Sequence, residues 1–140
     1  MKRAVLLWLA VLGGCGSEGA PAPSALPVSG SWSLNQVVQG GSATCGEGGS
    51  LVLTQNDASL GGSFSTRGGC DTSGVALDFV RSGNVLAGTL SGIAIRFTLG
   101  VCQYSGTVVG NPQAPFGGSV TCTGLPGTTG ALLGSWEASR

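Results

Sequence analysis

Few side chains in this sequence can do chemistry. Its 140 residues include six acidic and six basic groups, one tyrosine, five cysteines and no histidine. Without an imidazole, the Ser/His/Asp and Cys/His nucleophilic arrangements are excluded. A zinc site is disfavoured too, because the cysteines are not spaced as CxxC pairs and no histidine can complete a set. The carboxylates are expected to be ordinary. Asp57 and Asp71 sit at turns, and Glu47 lies in a glycine-rich loop, where each is solvated. Asp78 and Arg96 read as a surface charge row with Ala87 between them, and Glu137 stands near Arg140. Gly46-Glu47-Gly48-Gly49 has the look of a phosphate loop. It leads into Ser50-Leu51-Val52-Leu53, which is strand grammar, whereas a phosphate loop opens a helix. No catalytic residue, metal or cofactor is expected. The balanced charge leaves no basic face for nucleic acid.

Three polar groups fall on, or extend, apolar phases: Arg81, Gln55 and Tyr104. If they converge, they form the polar mouth of a small-ligand pocket. If they do not, they cap the ends of a packed core, with their tips reaching water. The second arrangement is the expectation.

The elements that place these groups are strands. Six times the chain repeats apolar, any residue, Gly, Ser or Thr, apolar: at Val28–Trp32, Leu60–Phe64, Leu86–Leu90, Tyr104–Val108, Phe116–Val120 and Leu132–Trp136. The period of two puts the apolar ends and the glycine on one face. A mid-strand glycine weakens pairing, and its recurrence points to a tightly curved sheet. Strands are expected at 28–38, 50–56, 60–66, 74–81, 84–90, 93–99, 102–109, 115–122 and 131–138. Two-residue turns are expected at Asp57-Ala58, Ser82-Gly83, Ser91-Gly92 and Gly100-Val101. These turns pair Leu51 with Phe64, Phe79 with Leu86, Leu90 with Ile93, and Phe97 with Tyr104. A longer loop at 110–114 pairs Tyr104 with Val120. Each register keeps apolar partners on one face, where a slip of one residue would turn them out. The interior is expected to hold Trp32, Leu34, Val75, Leu77, Leu86, Ile93, Ile95, Phe97, Trp136 and their neighbours. The outward phase is mostly Ser, Thr, Ala and charge, without the apolar belt and aromatic girdles of an integral outer-membrane barrel. The fold class is all-β, an antiparallel up-and-down meander barrel of about eight or nine strands. Nine strands would leave the first and last parallel, so closure requires a change in the count. A short extra strand hidden in 37–45 is one way, a first segment not linked as a hairpin another; the sheet otherwise stays open. Closure is favoured because exposed edges invite aggregation.

The same register sets Cys102 opposite Cys122. Cys45 and Cys70 then lie in loops at one end of the meander and form the natural second disulfide in an exported chain.

The N-terminus reads as an address. Lys2 and Arg3 precede an apolar run, Ala4 to Leu12, too short to span a membrane. Leu12-Gly13-Gly14-Cys15 resembles the lipobox of bacterial lipoproteins. The resemblance implies cleavage after residue 14, acylation of Cys15, and anchoring in the cell envelope, in the outer membrane if the cell has one, since Gly16 rather than Asp follows. Residues 15–29, with Pro21, Pro23 and Pro27, form a semi-extended tether, and 30–140 form the barrel domain. The mature chain would carry four arginines against six carboxylates. Gly30-Ser31-Trp32 and the closing Trp136 to Arg140 are similar to the first and last strands of lipocalin-like and avidin-like barrels. Lipocalins imply an apolar small-molecule ligand. Avidins imply biotin, for which no matching polar constellation exists here. Bacterial metalloprotease inhibitors are also small GxW barrels, acting through an N-terminal trunk that lipid would occupy in this chain. The expected function is a non-enzymatic binding or structural module tethered to a membrane. The alternatives are a carrier of a small apolar ligand and an inhibitor of a secreted protease. The expected partners are the membrane and either a protein or an apolar small molecule.

Overall fold

A computed structural model describes residues 26–140. Eight antiparallel strands form a closed barrel in simple meander order. They are β1 (Gly30–Gly40), β2 (Ala43–Asn56), β3 (Ser59–Thr72), β4 (Val75–Ser91), β5 (Ala94–Leu99), β6 (Cys102–Thr107), β7 (Phe116–Thr123) and β8 (Ala131–Ser139). β8 closes on β1, with Leu34 opposite Ala138 and Val38 opposite Gly134. An even strand count is what lets a meander close antiparallel, so the expected parity conflict disappears. It disappears by fusion: the segments expected at 74–81 and 84–90 are one strand, and no turn exists at Ser82-Gly83. Gly83 sits opposite Phe64, and a Cβ there would lie 3.3 Å from the Phe64 ring. The Ser-Gly pair that resembles a turn is space for that aromatic side chain.

Several registers match the expectation. Leu51 faces Phe64, Phe97 faces Tyr104, Tyr104 faces Val120, and Cys102 faces Cys122. The β4–β5 register differs by two: the turn is Gly92-Ile93, and Leu90 faces Ile95. Gly92 has φ +59°, which suits the first position of a tight hairpin turn. A bulge between Leu86 and Thr89, with Ala87 at φ +49°, then shifts β4 by one residue. The shift turns Leu86 outward, and Ile93 is exposed in its turn. Val75 and Leu77 keep the inward phase but project past the barrel end and are also exposed. These four expected core residues are therefore surface residues. Asp78 and Arg96 form no charge row, because Arg96 faces Thr89 and Asp78 faces Gly69.

The mid-strand glycines do produce curvature. A Cβ on Gly134 would stand 1.8 Å from the Val37 carbonyl oxygen, and one on Gly62 1.9 Å from that of Val52. Only a strand without a side chain there allows the neighbouring backbone so close. The wall thus bends around a continuous core that includes Trp32, Leu34, Leu51, Leu53, Ile95, Phe97, Leu132 and Trp136.

Both expected disulfides are present. Cys45–Cys70 and Cys102–Cys122 join directly opposed residues, with Cα atoms 4.0 and 4.1 Å apart. Cys45 and Cys70 lie inside β2 and β3 rather than in loops, because those strands run much further than their apolar segments suggest.

Candidate functional site

The interior is layered. At the end where the described chain begins, Val28 is buried, its N–H donates to Gln55 Oε1 at 2.9 Å, and its carbonyl accepts from Trp32 Nε1 at 2.9 Å. Arg140 lies over the Trp32 ring at 4.2 Å and donates to the Ser29 carbonyl at 2.6 Å. Gln55 also donates to the Asp57 carbonyl. This end is stoppered.

Aromatic rings fill the middle. Trp32 meets Phe116 edge-on at 4.6 Å, Phe116 meets Trp136, and Phe97 stacks on Tyr104 at 4.8 Å. Such pairs contribute beyond their buried area, by about 0.5–1.5 kcal/mol each.

Beyond the rings lies a polar cluster supplied by five strands: Gln36 from β1, Glu47 from β2, Thr66 from β3, Arg81 from β4 and Tyr104 from β6. Glu47 is its hub. Arg81 grips the carboxylate with two prongs, Nε to Oε1 at 2.9 Å and Nη2 to Oε2 at 2.6 Å. Gln36 Nε2 donates to Oε2 at 2.9 Å, and the Thr66 hydroxyl donates to Oε1. The Tyr104 hydroxyl donates to Gln36 Oε1. Arg81 Nη1 donates to the Leu99 carbonyl at 3.0 Å. The Glu47 side chain is 1% exposed and that of Arg81 14%. Gln36 also approaches the sulfurs of Cys102 and Cys122, so this disulfide adjoins the cluster.

The electrostatics follow from burial. Desolvation pushes the Tyr104 phenol up to about 12, partly opposed by the positive charge of Arg81 and reinforced by the negative charge of Glu47. Burial alone would lower Arg81, but the hydrogen bonds and charge of Glu47 outweigh it and hold the guanidinium above its ordinary range.

Of the three polar residues singled out from the sequence, Arg81 and Tyr104 belong to this cluster, while Gln55 stoppers the opposite end. Gln36, Glu47 and Thr66 are the additions. Each extends an inward phase by two residues: Gln36 follows Trp32 and Leu34, Glu47 follows Cys45, and Thr66 follows Phe64. Glu47 is thus a buried strand residue and not a solvated loop carboxylate.

Chemically the cluster is closed. Glu47 accepts four hydrogen bonds, and among the described residues no buried side-chain nitrogen or oxygen lacks a partner. No described group of His, Cys, Asp and Glu is arranged to hold a metal. Clefts of about 320, 550 and 740 Å³ are lined mostly by outward residues such as Arg96, Gln103, Arg67, Val80, Asn35 and Ser135; the 740 Å³ cleft also reaches Gln36, Glu47 and Trp136, and the 320 Å³ cleft Phe97 and Tyr104. No family model, curated protein or solved structure matches the chain.

Proposed function

We propose that the chain is a lipoprotein, tethered through acylated Cys15, whose filled barrel serves as a non-enzymatic binding or structural module of the cell envelope. The observation that supports this reading is the occupied lumen. Side chains from all eight strands pack it, and its polar groups satisfy one another, so little is left to recognise a ligand. Eight strands enclose just enough room for such side chains. Binding is then a property of the outer wall.

That wall is rich in hydroxyls. Ser139, Ser33, Ser50, Ser65 and Ser82 stand side by side across five neighbouring strands, with Ser105, Ser119 and Ser135 in a second row. A wall of this composition suits water rather than a bilayer core, which agrees with attachment by a tether. Cys15 and most of the tether lie outside the described residues.

Two measurements test the reading. The wild-type chain should fractionate with membranes and a Cys15→Ser variant should not; co-fractionation of that variant would refute the tether. Titration with apolar fluorescent probes should leave the emission of Trp32 and Trp136 unchanged. Saturable quenching of these lumen tryptophans would favour the carrier function instead.

A further inference from the structure

We propose that the β4 edge between Ala76 and Ser82 pairs antiparallel with the same edge of a second copy of this chain. The barrel is closed, but its strands differ in length. β4 spans 17 residues and β5 only 6. β5 pairs with β4 from Val85 to Ser91, so the stretch from Val75 to Asn84 has β3 on one side and no strand on the other.

The direction of the unpaired groups follows from the disulfide. Cys45 and Cys70, with Cα atoms 4.0 Å apart, have the spacing of a non-hydrogen-bonded pair. The backbone N–H and C=O of Cys70 therefore face β4, and those of Leu77, opposite it, face back. Alternation aims the N–H and C=O of Ala76, Asp78, Val80 and Ser82 away from β3, where no main-chain hydrogen bond among the described residues engages them; the nearest packing is of the 124–130 loop, through Gly127, on the inward-phase Leu77. All four residues are exposed, Val80 at 71%.

Natural edges are commonly blunted by lysine, proline, a bulge or an inward charge. Here the bulge lies beyond the free stretch, and the inward charge, Arg81, is consumed by Glu47. Asp78 is the only charge that this stretch directs outward.

The surface beside the edge is complementary to itself. Arg67 faces Val80 from β3, and Asp78 lies two residues along β4; no ion pair joins Arg67 to Asp78. These residues, with Gly68 and Phe79, line the cleft of about 550 Å³. With Phe79 on the two-fold axis, Asp78 falls opposite Val80 of the second copy and Ala76 opposite Ser82. All outward-aimed amides and carbonyls of the four residues then pair, making roughly eight main-chain hydrogen bonds. Each Arg67 stands two strands, about 10 Å, from Asp78 of the other copy, within reach of the two side chains. Two opposite-sign contacts result from one symmetric arrangement, which identifies a second copy as the occupant. The contact is a short one, so the dimer is expected to be weak and concentration-dependent.

The test is sedimentation equilibrium of the full chain in density-matched detergent, with hydrogen exchange on the same samples. A dimer is expected, with slow exchange across residues 76–82. Val80→Pro removes a donor that faces only the open side, so the barrel ladder stays intact. It should yield a folded monomer with fast exchange at that edge. If this variant does not fold, Asp78→Arg should weaken the dimer about tenfold and Arg67→Asp added to it should restore it. A wild-type chain monomeric up to the highest soluble concentration, a folded Val80→Pro dimer, or no restoration in the double reversal would each overturn the proposal.

Discussion

Replacing Glu47 with leucine should be strongly destabilising although it leaves the disulfides and aromatic rings untouched. The carboxylate accepts two hydrogen bonds from Arg81, one from Gln36 and one from Thr66, and it is almost wholly buried. Removing it leaves the Arg81 guanidinium without its counter-charge. Breaking a buried pair from one side costs about 3–5 kcal/mol. Arg81 keeps a 14% exposed side chain and its bond to the Leu99 carbonyl, so the lower figure, about 3 kcal/mol, applies. For a domain of this size that is a fall in Tm of roughly 10–20 °C. The double variant Glu47→Leu/Arg81→Met should recover most of the loss, because an apolar pair of similar volume avoids desolvating either charge. Thermal and urea unfolding of the four proteins of the cycle give the coupling directly, expected to be at least about 2 kcal/mol, two thirds or more of the Glu47→Leu loss. A Glu47→Leu cost below about 1 kcal/mol, or strictly additive single changes, would refute the buried hub.

Other expectations follow from the same interior. Tyr104 is the sole tyrosine, so phenolate absorbance reports it alone. Its folded value, about 12 against an ordinary 10.0, means that the folded state holds its proton longer. The associated stability is therefore complete below pH 10 and is lost as pH rises toward 12; it amounts to about 3 kcal/mol. Tyr104→Phe should remove that alkaline slope, and a slope retained in the variant would contradict the assignment. Each disulfide closes a loop of 20 to 25 residues, so replacing either pair with alanine should cost about 3 kcal/mol, read by urea unfolding. Gly134→Val should be worse tolerated than Gly110→Val, since a Cβ at Gly134 meets a carbonyl oxygen at 1.8 Å while Gly110 faces open space. Comparable soluble yields for these two variants would argue against glycine-enabled bending.

The parts of the fold legible in the sequence are those set by local rules. Gly100 and the loop at 110–114 mark turns, and the apolar phase on either side fixes Phe97 against Tyr104 and Cys102 against Cys122. The parts that were not legible depend on distant partners. Ser82-Gly83 looks like a turn until Phe64 is placed opposite it, and the fusion of β4 changes the strand count by one. The bulge at Ala87 carries no turn dipeptide, so the outward swing of Leu86 has no local sign. Glu47, flanked by glycines, reads as loop because the strand there has almost no side chains; its burial is sustained by Arg81, 34 residues away. Arg81 and Tyr104 could be placed inside from phase alone, but not as members of one network with Gln36, Glu47 and Thr66. Gln55 shares their phase and lies at the other end.

The proposed role depends on an interior filled by the protein's own side chains. Native mass spectrometry of the mature chain, made in its own host and released gently from detergent, measures this most directly. The expected mass is that of the acylated chain with both disulfides, as one or two copies, and no small molecule bound. A small molecule that stays with the folded barrel and leaves on unfolding would contradict it.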